Sequence, residues 1–251
     1  MSESQSNQTS GKQEKRVAAG ETGLHQRMEQ SARRIVAQDV ELFGVVTCGA
    51  DGHPQLAMLL SELKAEITTR LKELRVTERI VDKLPDGQLP LAHYRFSVAL
   101  SGCMNGCIGP EMKSFGVAVA SVPSVPTVAD AACSECFACV DACRRGALVI
   151  RDGSFRHNID LCDHCSDCVR ACTTGKLVSL RQGFKIFIGG RGGRYHQPGF
   201  ELFKMADRET LFKALEASVE YFLTNAIGQE SFGALLNREG PSPIYQRIYQ
   251  G

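Results

Sequence analysis

The sequence predicts an α+β protein in which a small cysteine-rich domain interrupts an α/β domain. Eight of the eleven cysteines fall into two short stretches, Cys133–Cys143 and Cys162–Cys172. The chain on either side of these stretches alternates apolar strand-like runs with amphipathic helix-like runs. With 251 residues, the chain is long enough for one or two domains with a substantial core.

The amino-terminal segment and the bulk composition predict where the protein works. Residues 1–22 are polar and rich in Ser, Gln and Lys, so we expect a disordered tail without a secretory signal. This predicts a cytoplasmic protein, in which cysteines bind metals more often than they form disulfides. The net charge of +1 gives no reason to expect a nucleic-acid partner. No apolar run approaches the roughly 20 residues of a membrane span.

The segments on either side of the cysteine stretches, residues 23–126 and 183–251, are predicted to form one split domain. Apolar periodicity predicts helices and strands in this domain, joined to the cysteine-rich part by the proline-stiffened "SVPSVPT". The predicted elements are helices over 23–40, 55–74 and 205–228, and strands near 94–100, 115–120 and 184–188. Asp207 is the expected N-cap of the last helix. The tail "PSPIYQRIYQG" suits either a partner or the protein's own core.

Each cysteine stretch has the spacing C-x2-C-x2-C-x3-C. The first cysteine run is Cys133, Cys136, Cys139 and Cys143, and the second cysteine run is Cys162, Cys165, Cys168 and Cys172. This is the spacing of two-cluster bacterial ferredoxins, in which the fourth cysteine of each run ligates the other cluster. Thiolates are the soft ligands that suit iron–sulfur clusters.

The spacing therefore predicts two [4Fe–4S] clusters, each held by cysteines from both runs. The first cluster site is Cys133, Cys136, Cys139 and Cys172, and the second cluster site is Cys162, Cys165, Cys168 and Cys143. Zinc is the weaker alternative, because zinc sites prefer two separated cysteine pairs. A disulfide framework conflicts with the expected compartment.

Residues 127–182 as a whole resemble a bacterial two-cluster ferredoxin. Between the runs, "ALVI", "DG" and "FRHNI" predict the β-hairpin that joins the halves of such a fold. In that family a proline usually follows the fourth cysteine, whereas Arg144 and Thr173 occupy these positions here. The departure leaves the ligands in place and bears on the shielding and the potential of each cluster.

Residues 41–225 resemble sirohaem sulfite and nitrite reductases, in particular the catalytic subunits of dissimilatory and anaerobic sulfite reductases. "SGCMNGC" is similar to their GC-Pro-N-x-C signature, and the inserted ferredoxin is followed, as in those subunits, by a strand and a Gly/Arg loop. The resemblance implies a partial sulfite-reductase-like α/β domain interrupted by a 2[4Fe–4S] ferredoxin-type domain. The first half-domain of the complete reductases is absent from this sequence.

In that family a C-x5-C pair and a C-x3-C pair hold a further [4Fe–4S] cluster, whose last cysteine bridges to the sirohaem iron. The resemblance implies that Cys103 and Cys107 form the second pair, with Cys107 as the bridge, and that Cys48 is the first ligand. The second cysteine is missing, and His53 lies near its place; imidazole ligates iron in some clusters. A third cluster on these four residues is one interpretation. In the other, His53 is a turn residue and the thiols are inert.

Two further expectations concern the anionic cofactor and the function. Arg191 and Arg194 suit the carboxylates of sirohaem, and a basic surface turn is the alternative. The favoured function is an iron–sulfur electron-transfer subunit that works with a redox partner protein or in a larger oxidoreductase complex. The alternative is a sirohaem-dependent sulfite or nitrite reductase fed by its own ferredoxin domain. A non-redox zinc-binding module is the third class.

Overall fold

A computed structural model shows an α+β protein. It describes residues 41–49, 54–84, 90, 94–123, 136–151 and 154–250. The expected tail 1–22, the expected helix 23–40, His53 and Cys133 lie outside the described residues.

The described part of the chain contains strands, helices and one short 3-10 turn. The strands are β1 Phe43–Thr47, β2 Phe96–Ser101, β3 Phe115–Pro123, β4 Leu148–Arg151, β5 Ser154–His157, β6 Ser179–Ile188 and β7 Phe200–Ala206. The helices are α1 Pro54–Glu73, α2 Val76–Asp82, α3 Ala138–Asp141, α4 Asp167–Ala171, α5 Arg208–Asn225, α6 Phe232–Glu239 and α7 Ser242–Gln250. The 3-10 turn, Pro110–Met112, precedes β3.

A five-stranded sheet with the order β1-β2-β3-β6-β7 carries the main core. Strands β1, β2 and β3 are parallel, and β6 is antiparallel to both β3 and β7. Alternate apolar residues of the strands pack against α1 and α5 on one face of the sheet. Because parallel strands share their direction, the carboxyl ends of β1, β2 and β3 lie at the same edge of the sheet.

The helices form where the apolar periodicity predicts them. In α1, Leu60, Leu63, Ile67 and Leu71 are buried at helical spacing. Helix α5 begins after Asp207, whose carboxylate accepts a hydrogen bond from the backbone N–H of Thr210 at 2.8 Å, as expected for an N-cap. Its predicted stripe of Leu211, Leu215, Val219 and Phe222 is buried.

The other face of the sheet is crossed by the loop between β2 and β3. The 3-10 turn of this loop lies so close to β3 that a Cβ atom at Gly116 would be 1.9 Å from the carbonyl oxygen of Pro110. Only glycine allows this approach. The loop therefore runs across the sheet, from the edge that bears Cys103 to the edge where β3 begins.

The cysteine-rich segment, residues 136–177, connects the far ends of β3 and β6. Its β4–β5 hairpin is antiparallel, as the sequence predicts, and its small core is built on Cys139, Leu148 and Leu177. The long strands differ from the expectation. Strand β3 continues to Pro123, into the expected linker, and β6 begins at Ser179 rather than near residue 184. Pairing with β3 imposes this extension on a polar stretch.

Helices α2, α6 and α7 and strand β7 were not predicted from the sequence. For the carboxyl-terminal tail, the structure selects one of the two alternatives, since α7 packs on the protein's own core. Ile244 and Ile248 are buried, and the hydroxyl of Tyr245 donates a hydrogen bond to the carbonyl of Leu202 at 2.7 Å. In this part of the chain, tertiary contacts determine the secondary structure.

Candidate iron–sulfur sites

The structure brings the four cysteines of the second cluster site together. They line one cavity of about 170 Å³, although Cys143 comes from the first cysteine run and the other three come from the second. The members are Cys143, Cys162, Cys165 and Cys168. This is the exchange of the fourth ligand that the spacing predicts for a two-cluster arrangement.

The thiols of this cavity are poorly solvated and lie close enough to affect one another. Burial, followed by the neighbouring thiols Cys165, Cys143 and Cys162, raises the pKa of Cys168 to about 11. Burial is also the main reason why the pKa values of Cys162 and Cys165 are raised. Four thiolates in such a place need a cationic centre to compensate their charge, which iron supplies.

The two cysteine runs share an unusual backbone conformation. Phe137 has φ 57° and Ser166 has φ 65°, in the left-handed region that non-glycine residues seldom adopt. Both residues directly follow the second cysteine of their run, and each precedes a short helix, α3 or α4. The residue type of Phe137 does not predict this conformation; its position in the repeat is the only signal.

Backbone N–H groups point at several of the sulfur atoms. The N–H of Ala147 donates to Sγ of Cys143 at 3.2 Å, and that of His164 donates to Sγ of Cys162 at 3.4 Å. Such donors stabilise charge on cluster sulfurs and tune their potential. Within the described residues, no three His, Cys, Asp or Glu side chains converge as ligands of a single metal ion. A cube instead takes each thiolate on a separate iron.

The first cluster site is described for Cys136, Cys139 and Cys172, because Cys133 lies outside the described residues. Cys136 is exposed and Cys139 is buried in the small core. Sγ of Cys136 lies 3.4 Å from Oγ1 of Thr173, so the structure brings it next to the fourth cysteine of the second run.

Cys172 of the first cluster site is surrounded by hydrogen-bond donors. Burial alone would raise the pKa of its thiol. Hydrogen bonds from the backbone N–H of Leu177 and the hydroxyl of Thr174 outweigh that effect, and the pKa is lowered. The charged thiolate is therefore better stabilised here than at Cys168.

The second cluster site contacts the large sheet. The N–H of Ser121 in β3 donates to the carbonyl of His164 at 2.9 Å, and the hydroxyls of Ser121 and Ser166 are hydrogen-bonded. Met104 and Asn105, from the loop between Cys103 and Cys107, line the same cavity as the four cysteines. The carboxyl ends of β2 and β3 lie at one edge of the sheet, which explains this meeting.

Cys48 and Cys103 also meet at this edge. The N–H of Cys48 extends the pairing of β1 with β2 through a bond to the Leu100 carbonyl at 3.2 Å. Its Sγ accepts a hydrogen bond from the N–H of Gly102 at 3.1 Å, which places it beside Cys103. Cys107, near the middle of the loop between β2 and β3, is exposed. His53, the fourth residue of the expected third centre, lies outside the described residues.

A second cavity, of about 310 Å³, lies at the opposite edge of the sheet and is basic. Arg95, Lys113 and Arg191 line it, together with Ser97, Ser114 and Ser231. Nε of Arg191 is buried and has no hydrogen-bond partner among the described residues.

The two arginines of the expected anion site are not equivalent. Arg191 lines the basic cavity, whereas Arg194 is absent from its lining and lies 5.7 Å from the ring of the exposed Tyr195. Arg95 and Lys113, which were not predicted from the sequence, line this cavity beside Arg191. Arg95 directly precedes β2, and Lys113 lies two residues before β3. A basic residue just before each of two parallel strands was the sequence pattern that could have predicted this cavity.

No helix in the described part of the chain is long and apolar enough to cross a membrane.

Comparison with known proteins establishes the family to which this chain belongs. Residues 66–250 match the family described as the nitrite and sulphite reductase 4Fe-4S domain. The match covers well over half of the chain, so the protein belongs to this family of iron–sulfur, oxidoreductase-related domains. This confirms the resemblance to sulfite and nitrite reductases.

Two individual proteins are similar over smaller parts. A coenzyme F420-dependent sulfite reductase from Methanocaldococcus jannaschii is 37% identical over 120 residues, which make up 48% of this chain and 19% of that protein. The chain thus spans about a fifth of the length of this relative. A crystal structure of dissimilatory sulfite reductase I (DsrI) has a TM-score of 0.48 and 17% identity, covering 62% of this chain and 42% of that one.

Proposed function

We propose that this chain is an iron–sulfur electron-transfer subunit of an oxidoreductase related to sulfite and nitrite reductases. In this proposal residues 127–182 are a ferredoxin-type domain with two [4Fe–4S] clusters. The observation that carries the proposal is the cavity in which Cys143 joins Cys162, Cys165 and Cys168 beside the Cys103–Cys107 loop.

The residues at both sites fit such clusters. Each site offers cysteine thiols in cluster spacing, backbone N–H groups aimed at sulfur, and some cysteines that are partly or fully buried. A bound [4Fe–4S] cluster supplies one-electron transfer without proton chemistry at a side chain. The task of the protein is to hold the clusters, keep them dry and tune their potentials.

The two sites are proposed to act in a fixed order. The second cluster site lies against β3 and the Cys103–Cys107 loop, whereas Cys136 and the neighbouring Phe137, which is 44% exposed, face solvent at the first cluster site. We therefore assign the entry of electrons from a redox partner to the first site. The second site then delivers them to the centre in the large domain.

That centre is the proposed third cluster, on Cys48, Cys103 and Cys107 with His53 as the fourth candidate. Its support is the contact of Cys48 with Gly102 at the edge where the second cluster site also lies. Replacing Cys107 with Ser is expected to remove this centre and spare the two others.

A second candidate function is a sirohaem-dependent reductase. The basic cavity supports it, because Arg95, Lys113 and Arg191 suit a ligand with several carboxylates. Sirohaem, when bound, would supply the iron at which sulfite or nitrite is reduced. The relative from Methanocaldococcus jannaschii is named a sulfite reductase, but this chain matches only 19% of it.

The test is the metal content and the absorption spectrum of anaerobically purified and reconstituted protein. Two cubes predict about eight irons per chain with matching sulfide, and a third raises this to about twelve. Sirohaem adds strong near-ultraviolet and red bands that clusters lack, which separates the two candidates. A colourless protein, or one that binds zinc in place of iron, would refute both.

A further inference from the structure

Two hydroxyl groups follow the last cysteine of the second run and reach the sulfurs of the first cluster site. Oγ1 of Thr173 lies 3.4 Å from Sγ of Cys136, and Oγ1 of Thr174 lies 3.5 Å from Sγ of Cys172. Both cysteines belong to the first cluster site. Thr173 occupies the position where bacterial ferredoxins usually have a proline, which has no donor group.

The chemistry of a bound cluster fixes the direction of these hydrogen bonds. A cysteine that ligates iron is a thiolate and has no proton to donate. The hydroxyls of Thr173 and Thr174 must therefore donate and the sulfurs accept. Hydrogen bonds to charged acceptors are stronger than those between neutral groups.

The second cluster site has no equivalent arrangement among the described residues. Its fourth cysteine, Cys143, is followed by Arg144 and Arg145, which line the cavity. Nε of Arg145 forms an ion pair with a carboxylate oxygen of Asp163 at 3.1 Å, which offsets its charge. The two cysteine runs are therefore followed by different side chains, two arginines after Cys143 and two threonines after Cys172.

We propose that Thr173 and Thr174 raise the midpoint potential of the first cluster, so that this cluster accepts an electron before the second. This inference rests on the proposed function, because it requires two bound clusters. One-electron reduction adds negative charge that spreads onto the sulfurs, and hydroxyl donors stabilise the reduced form more than the oxidised form. The entry cluster can then be reduced by weaker donors than the second cluster requires.

The experiment is a potentiometric titration of the reconstituted holoprotein with dithionite, followed by EPR. The variants are Thr173→Val, Thr174→Val and the double variant, which replace a hydroxyl with a methyl of similar size. Each hydroxyl removed is expected to lower the equilibrium constant for reduction of one cluster about tenfold, which for one electron is about 59 mV. Thr173→Ser keeps the donor and is expected to restore the potential.

Two control variants identify the cluster whose midpoint potential has changed. Arg145→Gln removes a cation at the second cluster site and is expected to lower only the midpoint potential of the second cluster. Thr69→Val removes an exposed hydroxyl that bonds to the Ala65 carbonyl in α1, and no potential should change.

Several results would overturn the inference. The first is a double valine variant with unchanged midpoint potentials. The second is a valine variant that shifts the same midpoint potential as Arg145→Gln does. The third is loss of iron from the single valine variants, because a residue that only tunes the potential leaves the cluster bound. Failure of the proposed function gives a different result, namely wild-type protein that binds fewer than about eight irons per chain.

Discussion

The first and second cluster sites have the same cysteine spacing but different surroundings. At the second site the thiols are partly buried, and the pKa of Cys168 is raised to about 11 by burial and neighbouring thiols. At the first site Cys136 is exposed, and donors lower the pKa of Cys172 despite its burial. Ligand spacing thus predicts the kind of cluster, whereas packing against the sheet determines how the thiols of each site are solvated.

The largest expected effect comes from removing one ligand at each site. Cys168→Ala and Cys136→Ala are each expected to lower the iron content by about four per chain, because each destroys one cube. Loss of the second cluster should also loosen the contact with β3, so the urea midpoint should fall further for Cys168→Ala.

The measurements are iron and sulfide content, with urea unfolding followed by circular dichroism. Equal midpoints for the two variants would contradict the assignment of the second site to the junction with the sheet.

The stability of the iron-free protein is expected to depend on pH through the buried thiol of Cys168 at the second cluster site. The pKa of Cys168 is about 11 in the folded chain against 9.0 for an unperturbed thiol. The unfolded chain therefore loses this proton first as the pH rises. The stabilising contribution is complete below about pH 9 and is lost as the pH approaches about 11.

We expect the free energy of unfolding of the apoprotein, measured in urea, to fall across this window. Cys168→Ala is expected to have a shallower slope. An apoprotein whose stability rises with pH here would contradict the buried second site.

A negative charge placed beside the second cluster site is expected to change the midpoint potential of only that cluster. Asn105 lines the second cluster site, so Asn105→Asp places a carboxylate beside that cluster and not the other. The interaction is worth about 1–2 kcal/mol for charges ~10 Å apart at an effective dielectric constant of about 20. We expect one midpoint potential to fall in the EPR titration. Asn225→Asp, at the end of α5, is the matched control and should change neither.

The smallest expected effect is on stability, at Phe137 and Ser166, which share a left-handed backbone conformation. Phe137→Gly should stabilise the holoprotein by about 0.5 kcal/mol, because glycine adopts this conformation without strain but loses more entropy on folding. Ser166→Gly relieves the same strain and also loses the hydrogen bond to Ser121, so its gain should be smaller. The urea midpoint for bleaching of the cluster absorption measures both. A larger gain at Ser166 would contradict the contact with β3.

The sequence predicted most accurately the features that depend on local spacing. The two cysteine runs, the β4–β5 hairpin, helix α1 and the Asp207 cap of α5 each follow from residues close together in the chain. The meeting of Cys48 with the Cys103 loop was expected only through the family resemblance.

Features that depend on partners distant in the sequence were missed. Strand β6 begins with exposed polar residues and Leu180, which is 68% exposed, so its first half has no apolar pattern and exists because β3 pairs with it. The basic cavity joins Arg95 and Lys113 to Arg191 across three strands. No local pattern predicts such a set, because register and sheet order decide it.

The EPR spectrum of the fully reduced holoprotein shows directly whether the two cysteine runs hold two neighbouring clusters. If thiolates of both runs hold two clusters within reach of each other, the two reduced centres interact magnetically and give a broadened, split spectrum. Cys136→Ala is expected to remove the first cluster and, with it, the splitting that arises between these two centres. Two non-interacting signals in the wild-type protein, or no cluster signal after anaerobic reconstitution, would contradict the account.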